Sequence, residues 1–482
     1  MNTKEYQAGL KFMLCNAIKR LYNGEVIFHH GLDHGIFFEV VTEESIDING
    51  LKRIKKCMMN MVTQDLPITK KTVSKKEAYN FYCKKGMQEK ANNILNISNL
   101  TVSLFELEGQ FNYFYCHDMP ASTKELALFD LTYLSDNQFI LIYPTNDKIE
   151  YTFRNKIYAS FRAYDLWLSG QGINYVTDIN NLVCHGKIKE FMRRNDIKID
   201  SDILDIAKDI INNRKRTVMV AGPSSSGKTT TARKLSLFLS SLGATAVSLS
   251  LDDFFLERAM TPVDENGMKD YESINAIDLK LFVTCLNDLL AGQTVSLPTF
   301  NFVTGEKEYL GREVTLGEKD ILIIEGLHAL NPKILEEIVD QESIYKVYVS
   351  PLTPLNVDRH NYVSTRDNRL LRRICRDFRT RGYSAEESIA TWEHVVAGEE
   401  EWIYPYTDDA DATINTAYAY EIGVLKIYVA PLLYDIPMES KYYDQARKLL
   451  DHLKVFYTIP SEYIAEDNIL REFIGGSVFD AK

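Results

Sequence analysis

Residues 217–230 read Thr-Val-Met-Val-Ala-Gly-Pro-Ser-Ser-Ser-Gly-Lys-Thr-Thr, and residue types in this order suit the cradling of a polyphosphate. Residues 217–221 are apolar or β-branched and predict a buried strand, while 230–241 predicts a helix. Between them stands Gly222-x-x-x-x-Gly227-Lys228-Thr229. Strand, glycine loop and helix in that order are the context a phosphate-binding P-loop requires. Gly222 and Gly227 let the backbone curl so that successive N–H groups point at phosphate oxygens. The helix N-terminus adds positive dipole, Lys228 brings charge to the β- and γ-phosphates, and Thr229 offers a hydroxyl to Mg²⁺. The expected cradle of a nucleoside triphosphate is Gly222, Pro223, Ser224, Ser225, Ser226, Gly227, Lys228, Thr229 and Thr230, with Mg²⁺ accompanying the nucleotide.

Two carboxylate sites follow. Ser248-Leu-Ser-Leu-Asp252-Asp253-Phe254-Phe255 places acids at the C-terminal end of the next predicted strand. Ligands of open α/β sheets bind at that edge. One of Asp252 and Asp253 can accept the proton of an attacking hydroxyl, and the other can orient Mg²⁺ through water. Asp320-Ile-Leu-Ile-Ile-Glu325 is an apolar run ending in an acid, so Glu325 is expected at the Mg²⁺ or its water. Seven arginines crowd 366–381, and Arg369, Arg373 and Arg376 share a helix face at i, i+4 and i+7. An arginine-rich helix that closes as a mobile lid would neutralise charge on a transferring phosphoryl group. His30-Gly-Leu-Asp-His34, Cys116-His117 and Cys184-His185 carry metal-like pairs, but Gly31 and Gly35 argue against a helix presenting both rings. No metal is assigned to these side chains.

The elements that must position these residues divide the chain in three. Residues 1–198 predict an α+β domain: a helix at 4–22, strands at 36–41 and 111–115, and helices at 49–65 and 75–95. Residues 199–440 predict a parallel sheet flanked by helices, with a helix at 202–216 and strands at 217–221, 245–251, 320–325 and 345–350. Residues 441–482 hold a helix (442–455) and a tail. With 482 residues, more than one domain is expected. A net charge of −12 argues against an extended nucleic-acid surface. Seven scattered cysteines without a C-x-x-C pair suit reduced thiols in a cytoplasm, and no run of 18 apolar residues predicts a membrane span. Oligomeric state is not legible, and a homo-oligomer stays open.

Gly-Pro-Ser-Ser-Ser-Gly-Lys-Thr-Thr, Leu-Asp-Asp-Phe-Phe, Ile-Glu-Gly-Leu-His and Arg-Arg-x-x-Arg-Asp-x-x-x-Arg-Gly, in this order, resemble the uridine kinase/phosphoribulokinase family over about residues 200–435. The whole chain is similar to a bacterial subgroup of uridine kinase-like nucleoside kinases with an N-terminal region like the second additional domain of threonyl-tRNA synthetase. The resemblance implies an ATP- and Mg²⁺-dependent P-loop kinase that phosphorylates the 5′-hydroxyl of a small-molecule nucleoside. It implies Asp252 as the base, Tyr271-Glu272 at the nucleoside, and Glu272 with Arg373 on ribose hydroxyls. Arg376 and Arg381 would clamp phosphates, and Pro298-Thr-Phe300-Asn-Phe302 would line the base pocket. Phe255 stands where the family has tyrosine, and Glu272 where it has aspartate. Gly305 stands where uridine kinases place a pyrimidine-reading histidine, which removes the hydrogen bond that best rejects wrong bases. In the synthetase domain, zinc-binding histidines precede Ala-Ile-Lys-x-Leu on the first helix. Here Ala17-Ile-Lys-Arg-Leu21 follows Ala8 and Phe12, neither of which can bind zinc. Transfer to a sugar phosphate or polyol, and a regulatory NTP switch linked to tRNA or amino-acid sensing, are the alternatives.

Overall fold

The structure is a computed structural model that describes residues 3–32, 34–96, 99–116, 118–263, 267, 269–338 and 340–479. Asp33 and His117 lie outside the described residues, and with them parts of two of the metal-like pairs.

Five strands build the sheet that carries the phosphate loop. In spatial order they are Ala412–Asn415, Ile344–Ser350, Thr217–Ala221, Ile321–Glu325 and Ala246–Ser250, all parallel. Parallel neighbours need crossover connections, and these bury both faces of the sheet. Side-chain alternation divides the core accordingly. Val218, Val220, Ile321, Ile323, Val347 and Val349 pack with Ala232, Leu235 and Leu239 of the helix Lys228–Ser241. Met219, Ala221, Leu322 and Ile324 face the other way, onto Phe282, Leu286 and Leu289 of the helix Leu279–Leu290.

Four of these strands lie within one residue of expectation. The fifth, Ala412–Asn415, is too short and too mixed in polarity to stand out in the sequence. The helix expected at 202–216 runs instead from Ile188 to Asn212, through position 198, on a continuous stripe of Ile188, Phe191, Ile199, Ile203, Ile206 and Ile210. The helix expected at 75–95 breaks into Lys75–Lys84 and Gln88–Asn96, because Gly86 turns left-handed (φ 71°).

The N-terminal part is α+β. An antiparallel sheet orders Glu25–Leu32, Gly35–Val41, Gln138–Ile142 and Asp130–Ser135, under the helices Thr3–Tyr22 and Ile48–Gln64. A smaller sheet pairs Thr69–Ser74, Thr101–Leu107 and Gln110–Asn112. The strand expected at 111–115 stops at Asn112, and the Tyr115 N–H donates instead to Asn361 Oδ1 (3.0 Å). Ala8 and Phe12 are buried, Phe12 against Phe114.

The two parts interlock. A hairpin of Asn356–Asp358 and Asn361–Tyr362 inserts into the N-terminal part, where Phe28 N donates to Arg359 O (2.8 Å) and Asn356 Nδ2 to Phe28 O (2.7 Å). At its tip Lys90 and Asp358, both fully buried, lie 3.7 Å apart. A buried pair of this kind is retained only with further partners. Lys90 Nζ reaches Tyr113 O and His360 Nδ1, and Asp358 accepts from His360 N and Asn361 Nδ2. Three residues beyond the hairpin begins the helix Thr365–Arg381.

Candidate active site

The phosphate loop emerges from its strand between two others, and its shape is set by contact. Gly222 is needed for close approach, since a Cβ there would lie 2.1 Å from Val349 O. Left-handed backbone falls at Ser225 (φ 59°) and Gly227 (φ 87°). Thr416 Oγ1 donates to Ser226 O (2.6 Å). The helix begins at Lys228, two residues before the expected start, so the N-terminal N–H groups of its first turn lie in the loop itself. Lys228 Nζ donates to Pro223 O (3.1 Å). The hydroxyls of Ser225 and Ser226 are buried and have no hydrogen-bond partner among the described residues.

Sheet register brings the acids together. Glu325 lies opposite Val220 on one side and Ser250 on the other. Its Oε1 accepts from Ser250 Oγ (2.6 Å) and Thr229 Oγ1 (3.3 Å). Burial, and then the neighbouring Asp252, push the Glu325 carboxyl up to about 7. Asp252 sits in the turn Leu251–Phe254, its N–H capped by Ser250 Oγ (3.3 Å). It also lies in the field of Arg376 and Arg381. Asp253, expected at the metal, is paired with Arg312, whose Nη1 donates to its Oδ2 (3.1 Å) and whose Nη2 donates to Ser248 O (2.8 Å). Its committed partner makes Asp253 a brace for the strand end. Thr229 and Glu325 thus bring two oxygen donors into contact beside the phosphate loop.

The arginine helix differs from a hinged lid. Leu370, Leu371, Ile374 and Cys375 are core, and nine residues of Thr365–Arg381 are buried. Arg369, expected over the phosphates, lies behind the loop instead. Its Nε donates to Ser224 O (3.0 Å) and its Nη1 to Glu399 Oε2 (2.8 Å), while Glu399 accepts from Ser224 N (3.1 Å). Arg372 repeats the device with Glu421 (2.9 Å) and Thr416 O (2.8 Å). Arg373 lies in the field of Glu272, and Arg376 and Arg381 in that of Asp252. They converge on Asp377, which burial would raise but Arg376, Arg381 and Arg373 hold below the ordinary carboxylate range. Arg373 Nη1 also donates to Ser224 Oγ (3.0 Å). Burial, and then Arg376, lower Arg381 to about 10.

Beyond the turn that carries Asp252 stands an aromatic cluster with one buried acid near it. Phe255 packs on Tyr271, Phe300 and Phe302 with ring centroids 5.7–6.1 Å apart, and Arg381 covers the Phe302 ring at 4.5 Å. Asp270 Oδ1 accepts from Glu272 N and Ser273 N (3.0 Å each), fixing the turn that aims Glu272, and His394 pairs with Asp270 at 3.1 Å. Glu272 fits only because Gly398 lacks a side chain: a Cβ there would lie 2.4 Å from Glu272 Cβ. Burial raises Glu272 to about 7 against the opposing pull of Arg373. Buried His328 stands edge-on to Trp402, and its desolvated ring is lowered to about 4. At Gly305 (φ 78°) the side chain of Arg258 lies across the position where a Cβ would be, with Arg258 Nη2 donating to Phe302 O (2.9 Å).

Loop, Asp252, Glu325, Glu272, the aromatic residues and three of the arginines are thus brought together at one sheet edge. Glu399, Glu421, Thr416 and Ser250 complete the site and carry no signal in sequence, because each acts through a partner distant in the chain. Among the described residues, no group of three or more His, Cys, Asp or Glu could hold a metal ion by itself, and no helix is long and apolar enough to cross a membrane.

Residues 217–422 match the Phosphoribulokinase / Uridine kinase family, from the first residue of the loop strand onward. Over 206 residues the chain is 29% identical to a uridine kinase of Staphylococcus aureus (strain JH9), covering 42% of this chain and 89% of that one. Among solved structures, a possible uridine kinase from Bacillus stearothermophilus aligns at 24% identity over 31% of this chain and 79% of its own, with a TM-score of 0.27. A D-glycerate 3-kinase from Cryptococcus neoformans aligns at 16% identity over 55% of this chain and 89% of its own, with a TM-score of 0.25.

Proposed function

We propose that this chain, whose residues 217–422 match the phosphoribulokinase/uridine kinase family, transfers the γ-phosphoryl of ATP to the 5′-hydroxyl of a nucleoside. The observation that carries this reading is Asp252, an acid that acts on Glu325 and lies in the field of Arg376 and Arg381, three residues before Phe255 of the aromatic cluster. The acceptor hydroxyl gives its proton to Asp252 as its oxygen bonds to the γ-phosphorus and the β–γ bridge breaks, releasing ADP. Lys228, Arg376 and Arg381 neutralise the charge spread over the transferring group. Thr229 and Glu325 would hold Mg²⁺, which supplies charge neutralisation at the phosphates when bound with ATP. Glu272 and Arg373 accept from and donate to acceptor hydroxyls, and Phe255, Tyr271 and Phe300 flank its flat part.

A second reading, transfer to another small alcohol such as a sugar phosphate or polyol, is favoured by Arg258 lying across Gly305. Its guanidinium offers donors where no neutral base reader stands. A coupled ADP assay across nucleosides, sugar phosphates and polyols separates the two. Nucleoside-dependent ADP release, abolished in Lys228→Ala, supports the first. Acceptor-independent hydrolysis alone would sink both.

A further inference from the structure

Glu472 reaches the phosphate loop from the far end of the chain. Its Oε2 accepts from Thr230 Oγ1 (2.8 Å) and from Thr230 N (3.3 Å). Thr230 lies in the first turn of the helix Lys228–Ser241, where backbone N–H groups lack intrahelical partners. In a P-loop these donors cradle the nucleotide's phosphates. An anion therefore already stands at an anion site. Across the cleft, Glu472 lies in the field of Arg376 and of Glu325, the groups expected to face the same phosphates and their metal.

The backbone that carries Glu472 is tied down on all sides. Arg379 Nη2 donates to Glu472 O (2.7 Å), Asn468 Nδ2 to Asp196 Oδ1 (2.8 Å), and Arg471 Nη2 to Ile464 O (2.6 Å). Lys234 Nζ donates to Asp467 Oδ2 (2.7 Å). Ile469 seats against Gly227, where a Cβ would lie 2.4 Å from its Cγ2, and the ring of buried Phe473 lies under Arg372 at 5.0 Å. The segment is a fixed wall of the donor site, and rotation of the Glu472 side chain is the movement that vacates Thr230.

We infer that Glu472 is a built-in competitor of the donor nucleotide, its carboxylate holding on Thr230 the seat of a phosphate until the nucleotide displaces it. This rests on the P-loop kinase reading above. The C-terminal segment then sets donor affinity: the nucleotide binds only as the side chain swings away, and nucleotide release is assisted by its return. A carboxylate that merely capped the helix would leave nucleotide affinity unchanged, and one that read the ribose would raise it.

The test is calorimetric titration of ADP with Mg²⁺, and separately of inorganic tripolyphosphate, into the full chain and its Glu472→Gln and Glu472→Asp variants. Loss of an anion from a helix N-terminus corresponds to about two- to fivefold, so both ligands should bind more tightly to both variants by at least that factor. The shorter acid in Glu472→Asp keeps the charge but withdraws it from Thr230, and it guards against a glutamine variant that fails to fold. Unchanged or weaker ADP binding in the variants overturns the inference, as does a gain for ADP without one for tripolyphosphate. ADP binding that is absent in the unaltered chain and in both variants, or present but insensitive to Lys228→Ala, would overturn the kinase reading itself.

Discussion

Arg369 and Glu399 form a buried ion pair directly behind the phosphate loop, and both reach the same residue of it, Ser224, one at its carbonyl and the other at its N–H. The pair converts helix position into loop position. Removing one partner of a buried pair leaves an uncompensated charge at a cost of about 3–5 kcal/mol. Glu399→Ala should therefore lose about that much stability in urea denaturation and weaken nucleotide binding as well. A loss under about 1 kcal/mol would show that Ser224 is held by something else.

Asp252 and Asp253 are adjacent, and Asp253 is paired with Arg312 at 3.1 Å. Asp252→Asn should lower kcat by about 100-fold or more, the range of a lost general base, with a much smaller change in ATP affinity. Asp253→Asn should instead loosen Arg312 and lower thermal stability with kcat less affected. Steady-state kinetics on both variants decide the matter, and the reverse pattern would exchange their roles.

Glu272 has a carboxyl raised by burial to about 7, with Arg373 pulling the other way. Its ionised form is the better acceptor for substrate hydroxyls. Because the folded-state value is raised, the charged form is scarce below about pH 6 and dominant above about pH 8. Acceptor KM should fall by up to about tenfold between those limits, while ATP KM stays flatter. The acceptor dependence should vanish in Glu272→Gln. A pH-independent acceptor KM in the unaltered chain would remove Glu272 from acceptor binding.

Gly305 cannot simply be exchanged for the histidine that its family position suggests. Its φ of 78° disfavours any side chain, and the nearest atoms of Arg258 lie 2.8 Å from the Cβ position. Gly305→His should cost about 1–2 kcal/mol in backbone strain alone, with thermal melting as the measure. Arg258→Ala should shift acceptor preference more than it shifts ATP KM, seen as altered relative kcat/KM across the acceptor panel. An unaltered ranking would place Arg258 outside the acceptor pocket.

The phosphate loop, its strand, Lys228, Thr229 and Glu325 were legible in the sequence because each is set by local order: an apolar run, a glycine spacing, an acid at a strand end. The choice between Asp252 and Asp253 came only from the family resemblance. The same locality explains the four strands placed to within a residue. The fifth, Ala412–Asn415, draws its place from pairing with Ile344–Ser350 and leaves little periodicity of its own. The arginines show the limit most clearly. Arg369, Arg372, Arg373 and Arg376 are alike in sequence, and helical spacing put Arg369 on the phosphate face. Packing of Leu370, Leu371 and Ile374 into the core rotates Arg369 and Arg372 behind the loop, onto Glu399 and Glu421, and leaves Arg373, Arg376 and Arg381 to the cleft. Glu472 is 242 residues from Thr230, and no local pattern relates them. Short-range order set the phosphate-loop motif and the acids at the strand ends, whereas burial and long-range pairing decided which arginine pairs with which acid, because a charge inside a fold must settle where its partner lies.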